Sequence, residues 1–554
     1  MAASACQDSL EVANTNEPDG ETALARPAEV EALIGSSYQA VFAASQGGQN
    51  VQPQALVMSM ESFSNLANFG MALRSSIPRN PIDNTRGNAA AGGNYNDFLN
   101  LHRAARQAAT GLAKVNDPAF VFFPPSVPQK TRARAMAHFV IGAALGNVAL
   151  VYEQGSAVSP NDPAAVTNPP PLALIAHDTL MRYALSELDS AFNIANVAAA
   201  ASGFPSPNGW FGQSGNAGSS LTQAQFLGLV RAYRARFRAG VARNPVERAA
   251  VDWPTVIADA QAGAAAFPAD FTPPMNNTVG WDVVWFAQHF QSNSTNWHMM
   301  SQFMIGMADT TGAYDAWLAA PSAGKAPFLV VTGDRRFPQG TTRAAQQAVG
   351  GNSGTFVLPA GVYLRNRSIA DWAGDPLANS FYDHFRFRPI FNAASRALPH
   401  PIFSTAEMNM LAAEGLIRGN QFDAAAALIN ITRVARGVLP ALPNGMTAAT
   451  PVPGSATGCI PRIPAAPAYT SAICGNMMEA MKWEKRMETA YTAAYGWYQD
   501  SRGWGDLPEG TALWWPVPYQ EIDSRQLGAS PPPYTGSVGG IGQPGGAARG
   551  TYGL

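Results

Sequence analysis

Seven histidines are the first candidates for acid–base or metal chemistry in this chain. They are His102, His138, His177, His289, His298, His384 and His400, scattered singly with no His-Glu-x-x-His or other ligand spacing. No metal site is therefore expected. No Gly-x-Ser-x-Gly elbow, phosphate-cradling loop or Gly-x-Gly-x-x-Gly turn after a strand occurs. Hydrolysis of a glycoside would need two carboxylates at a set separation. The acids Glu187, Glu407, Glu414 and Glu484 fall within helical patterns, where solvent-facing or capping roles are expected. No catalytic residue and no cofactor is expected.

Aromatic and amide side chains in loops point to binding instead. A sugar ring stacks its apolar face on Trp or Tyr, and its hydroxyls pair with Asn, Gln, Asp or Arg in a concave site. Two loops have that composition. The first, 65–84, carries Asn68, Phe69, Arg74, Arg79 and Asn84. The second, 291–298, carries Asn293, Asn296 and Trp297. Trp210, beside Phe211 in a Gly/Asn-rich loop, is a third candidate contact. The remaining Trp residues, including the Trp514-Trp515 pair, are expected to pack or clasp.

The elements that must position these loops are mostly helical. The chain has 554 residues, 47% apolar and 13% charged, with a net charge of -2. That charged fraction is about half the usual value. Lysines are few and the arginines are scattered, so no phosphate-tracking stripe is expected. Residues 1–26 are polar and acidic and suit a flexible tether. Apolar residues then recur at helical spacing, as in Val30, Leu33, Ile34, Tyr38, Val41 and Phe42 behind Pro27. The same criterion predicts helices near 53–68, 96–115, 130–154, 171–196, 221–242 and 253–266, with an interrupted one over 281–308. The apolar run Ala135 to Tyr152 approaches membrane-spanning length, but its His138, Gly142, Gly146 and Asn147 favour a buried core helix. Residues 310–400 lack a clean period and offer short strands at 327–332 and 354–364. Helices return at 404–437 as an antiparallel pair turning at Gly419-Asn420. A long Met/Trp/Tyr-rich helix then runs from Met477 into Asp500-Ser501-Arg502-Gly503-Trp504, and the prolines of Trp514 to Asp523 predict an extended path. From Gln526 the chain is Gly/Pro/Ser-rich, a disordered tail or an extended strap.

Taken in order, these segments resemble the SusD/RagB family of bacterial outer-membrane lipoproteins. The resemblance rests on Glu29 to Phe42, Asn96 to Val115, Thr131 to Phe139, Gly333-Asp334-Arg335-Arg336, Met408 to Gly437, and Trp515-Pro516-Val517-Pro518 to Glu521-Ile522-Asp523. It covers nearly all of 27–524. Glu484-Lys485-Arg486 and Tyr495-Gly496 depart from the family pattern. The resemblance implies a mainly α, SusD-like fold: TPR-type helix pairs over 27–310 and 404–505 form a right-handed scaffold, and a loop-rich ligand-side region at 268–400 has few short strands. One helical domain would span 27–525, between the tether and the 526–554 tail. It further implies a surface protein that captures a glycan or peptide and hands it to a SusC-like TonB-dependent transporter, without a catalytic step. Ala3-Ser4-Ala5-Cys6 would be the end of a lipobox, with Cys6 acylated and holding the chain on the outer membrane. That oxidising location favours a disulfide between Cys459 and Cys474 over two free thiols, worth about 3 kcal/mol for so short a loop. Two other classes stay open: a helical-repeat adaptor for protein partners, and an α-helical glycan hydrolase.

Overall fold

The computed structural model describes residues 24–46, 51–64, 67, 70–88, 92–121, 127–162, 172–214, 217–267, 269–282, 298–321, 324–348, 358–367, 380–492, 495–525 and 537–550. The main helices are α1 (Pro27–Ser45), α2 (Val51–Met58), α3 (Met71–Ser75), α4 (Gly92–Asn116), α5 (Val127–Val151), α6 (His177–Ala195), α7 (Gln223–Gly240), α8 (Trp253–Ala266), α9 (Thr405–Arg418), α10 (Phe422–Ala435), α11 (Met477–Thr489), α12 (Gly496–Trp504) and α13 (Tyr519–Ser524). Strands come in two-stranded ladders among the described residues: β1 (Ser62–Phe63) with β6 (Met299–Met300), β2 (Gln154–Ser156) with β3 (Leu174–Ala176), β4 (Gln213–Ser214) with β5 (Ala217–Gly218), β7 (Leu364–Asn366) with β8 (Tyr382–His384), and β9 (Arg462–Pro464) with β10 (Ala472–Cys474). The fold is mainly α, as the periodicity predicts.

Local chemistry sets the helix ends. Pro27 opens α1, whose Val30, Ile34, Tyr38, Val41 and Phe42 are buried. Thr222 and Gln225 form a reciprocal capping box on α7. Ser404 and Asn476 accept the Glu407 and Glu479 amides at the starts of α9 and α11. Asn420, at φ 58°, makes the turn from α9 to α10.

Helices pack as sequence neighbours: α4 on α5, α5 on α6, α7 on α8, and α9 on α10. Helix α5 is the axis of the core. It is long and apolar enough to cross a membrane, but its most apolar window is 89% buried inside the protein. Gly146 admits the Phe237 ring, which would lie 2.0 Å from an added Cβ.

Several boundaries differ from the sequence expectation. The helix expected over 53–68 stops at Met58, because Met60 takes a positive φ of 62° and the chain enters β1. The described part of 281–308 is a strand followed by short helical turns. No strand forms at 327–332, and of 354–364 only Leu364 joins a ladder among the described residues. The long terminal helix is broken after Thr489, where Tyr491 has a φ of 59°. Residues 519–524 are helical, because Pro518 sits at the N-cap, where a missing N–H costs nothing. Trp515 does clasp the core: it is fully buried, donates from N to Val151 O at 2.9 Å and accepts from Glu153 N at 2.9 Å. Residues 537–550 form a strap, with Val538 bridged to Ile82 and Gly546 to Ala512. Cys459 and Cys474 are joined, with Cα atoms 5.7 Å apart, beside the β9–β10 hairpin.

The four helical acids are corrections. Instead of facing solvent, they are buried and paired. Glu414 takes Arg248 at 2.9 and 2.6 Å, and Arg248 holds its carboxyl down at about 2 against the cost of burial. Glu407 takes Arg236 at 2.7 Å through both oxygens. Glu187 meets His138 at 2.7 Å, and Glu484 takes Arg336 at 2.8 and 3.0 Å.

Candidate functional site

The β1–β6 ladder pairs the residues that flank the two candidate segments. Ser62 pairs with Met300 and Phe63 with Met299, so the chain leaving β1 enters loop 65–84 beside the chain leaving loop 291–298. His298 ties them together. Its Nε2 lies 3.0 Å from Met71 Sδ, and its Nδ1 lies 3.2 Å from Ser62 Oγ. A thioether only accepts, so Nε2 carries the proton and Nδ1 accepts from Ser62. A third segment closes the edge: Ser380 Oγ donates to Met300 O at 2.5 Å, leading into β8.

Beneath this edge lies a buried layer of titratable groups. The Glu61 carboxyl accepts from Tyr491 N at 2.8 Å, and burial pushes it up to about 8 despite that bond. The Tyr491 carbonyl accepts from His400 Nε2 at 3.0 Å. Tyr491 is thus held at its positive φ from both sides. Its ring lies 5.0 Å from that of His384 and 6.5 Å from that of His298. Burial pushes His298 and His400 down to about 3 and His384 well below its usual range. At neutral pH these groups are all uncharged. With Glu61 3% and His298 2% exposed, they make a buried neutral layer beside the β1–β6 ladder.

The predicted contacts divide. Asn68, Phe69, Asn293, Asn296 and Trp297 lie outside the described residues, as does Cys6. The others face inward. Arg74 is 5% exposed and donates to Asn80 O at 2.9 Å. Arg79 donates to Met58 O at 3.0 Å and Thr511 Oγ1 at 3.1 Å. The Asn84 amide donates to Val517 O at 2.9 Å and accepts from Tyr519 N at 3.1 Å, which pins loop 65–84 to the terminal clasp. Trp210 is 6% exposed, packed against α1 at Gly35 and under the Arg132 guanidinium. Arg74, Asn84 and Trp210 therefore shape the loops from inside. Composition identifies polar and aromatic types in loops, but the direction in which each side chain points depends on distant partners.

Sequence reasoning missed this layer (Glu61, His384, Tyr491), whose members share no motif. It also missed a cavity of about 540 Å³ with Arg335, Tyr363, Arg386 and Arg436 on its wall. Gly333-Asp334-Arg335-Arg336 was the one available signal, and it marks both the cavity rim and a buried ion network.

No protein-family model matches the chain. No curated protein matches it. Solved structures do. A SusD superfamily protein from Parabacteroides distasonis has a TM-score of 0.56 at 9% identity, over 90% of this chain and 97% of that one. A SusD-like protein from Bacteroides fragilis has a TM-score of 0.55 at 11% identity, over 95% and 99%. A SusD superfamily protein from Bacteroides thetaiotaomicron has a TM-score of 0.52 at 11% identity, over 90% and 98%. Together with the helix order and the terminal clasp, these likenesses establish that the chain has the SusD-like fold.

Proposed function

We propose that this protein is a cell-surface glycan-binding protein that captures a nutrient without transforming it. The observation that carries the reading is the β1–β6 ladder, which pairs the residues flanking the two aromatic- and amide-rich segments beside a buried neutral layer. A neutral layer suits a ligand held by stacking and hydroxyl hydrogen bonds. Three of the four helical acids are taken up by ion pairs with arginines and Glu187 by a hydrogen-bonding contact with His138, so none is left as a free acid–base pair. In this reading Asn68, Phe69, Asn293, Asn296 and Trp297 contact the ligand, and the protein delivers it to a SusC-like TonB-dependent outer-membrane transporter. A peptide is the alternative ligand.

Trp297→Ala is expected to weaken glycan binding at least tenfold, about 1.4 kcal/mol, while the unfolding midpoint holds. The measurement is a glycan array followed by titration calorimetry on the best hit. Binding to a peptide library alone would redirect the reading to peptides, and binding to neither would end it. The anchor has its own test. Cys6→Ser is expected to move the expressed protein from the membrane to the soluble fraction, and unchanged fractionation would defeat the lipid attachment.

A further inference from the structure

We propose that the 540 Å³ cavity is a second binding site, for a small organic anion: a carboxylate or sulfate carried on an apolar or ring-shaped body. Its wall includes Arg335, Arg386 and Arg436, and no acid lines it among the described residues. The carboxylate behind it, Glu488, is fully buried and already committed. It accepts from Arg336 at 3.1 Å, from Arg436 at 2.5 Å and from Tyr363 Oη at 3.0 Å. Arg336 in turn is held by Asp334 and Glu484. Arg386 spends one nitrogen on Glu488, donating to its backbone carbonyl at 3.0 Å and lying 3.9 Å from its carboxylate. A guanidinium has five N–H donors, so Arg386 and Arg436 keep donors for a ligand. Arg335 is exposed, and its side chain has no partner among the described residues.

Positive charge is therefore in excess at the wall, and it is preorganised. The Arg386 guanidinium stacks 4.5 Å over the Tyr363 ring and 5.0 Å over the Phe387 ring, which fixes its plane. The lining also includes apolar side chains: Val362, Phe385 and Val438, the last 59% exposed. One effect opposes an anion, since the C-terminal end of α10 points here with a partial charge of roughly -0.5. It is weaker than the full unpaired charge of Arg335, and the Thr432 carbonyl is already covered by the Arg436 and Gly437 amides at 2.8 and 3.1 Å. Guanidiniums and apolar surface in one cavity suit an acidic sugar or an aromatic acid, whereas glucose lacks the charge and sulfate the apolar body.

The site stands independently of the loop reading. Titration calorimetry on the full chain would use glucuronate, benzoate and neutral glucose as probes. At low salt at least one of the two anions is expected to bind and glucose is not, and high salt is expected to weaken the binding. Arg335→Ala is expected to weaken it about fivefold or more, with the unfolding midpoint unchanged because the side chain is exposed. Trp297→Ala is expected to leave it unchanged, which separates this site from the loops. Anion binding weakened by Arg335→Ala supports the site, and the benzoate arm then distinguishes an acidic sugar from organic acids at large. Failure of both anions to bind, equal binding of glucose, or indifference to Arg335→Ala would overturn it.

Discussion

Arg336→Met is expected to destabilise the protein by about 3–5 kcal/mol, the cost of leaving buried charge without its partner. Arg336, Asp334, Glu484 and Glu488 are each fully buried. The guanidinium reaches Asp334 at 2.7 and 2.9 Å, Glu484 at 2.8 and 3.0 Å and Glu488 at 3.1 Å. Met fills similar volume but answers none of these carboxylates. Arg436, Tyr363 and the Trp483 indole remain as partial partners, the last donating to Asp334 Oδ2 at 3.0 Å. These cover Glu488 and Asp334, so Glu484 is left most exposed to the loss. The neighbour Arg335 is the internal control: it faces solvent, and its replacement is expected to change stability by less than about 0.5 kcal/mol. Urea unfolding at neutral pH measures both. Equal midpoints for Arg336→Met and Arg335→Ala would show that the network does not hold the middle region to α11.

The second large effect is a pH dependence centred on Glu61. Its folded pKa of about 8 lies above the ordinary carboxyl value of 4.5, so the folded protein holds a proton that the unfolded chain releases. Below the unfolded value both states are protonated and the group has no effect. As pH rises from there toward 8, the unfolded state gains and stability falls; above 8 the folded state ionises too and the loss levels off. Between pH 5 and pH 8 the slope of about 1.4 kcal/mol per unit gives a loss of about 4 kcal/mol. Glu61→Gln copies the protonated acid, keeps an oxygen for the Tyr491 amide and cannot ionise. It is expected to match the wild type at pH 5 and to exceed it by a few kcal/mol at pH 8. The depressed histidines act the other way: their folded pKa values lie below the usual one, so their contribution is lost as pH falls from about 6.5 toward 3. Comparing Glu61→Gln with wild type at each pH cancels them. A difference in urea midpoint that is the same at pH 5 and pH 8 would sink the assignment of a neutral buried Glu61.

The helical scaffold was legible because its signals are local. The period of Val30, Ile34, Tyr38 and Phe42, the stop at Gly419-Asn420 and the start at Ser404 all lie within one helix and its ends. The terminal Trp515 clasp was legible through its prolines and aromatics, although the same prolines suggested an extended path where Pro518 starts a helix. Composition also singled out two segments as ligand-binding candidates, but it could not show that Arg74, Asn84 and Trp210 turn inward.

By itself, then, the sequence determined a mainly α chain, its helix pairs, a loop-rich middle and a pair of segments with ligand-binding composition. Only the tertiary structure decided which groups meet. Ser62 and His298 are 236 residues apart, Glu61 and Tyr491 430, and Arg336 and Glu484 148. Helix period and turn chemistry are written in neighbouring residues, where backbone geometry repeats every few positions. The burial of a carboxylate and the identity of its partner depend on which distant surfaces pack together, and no local pattern records that choice.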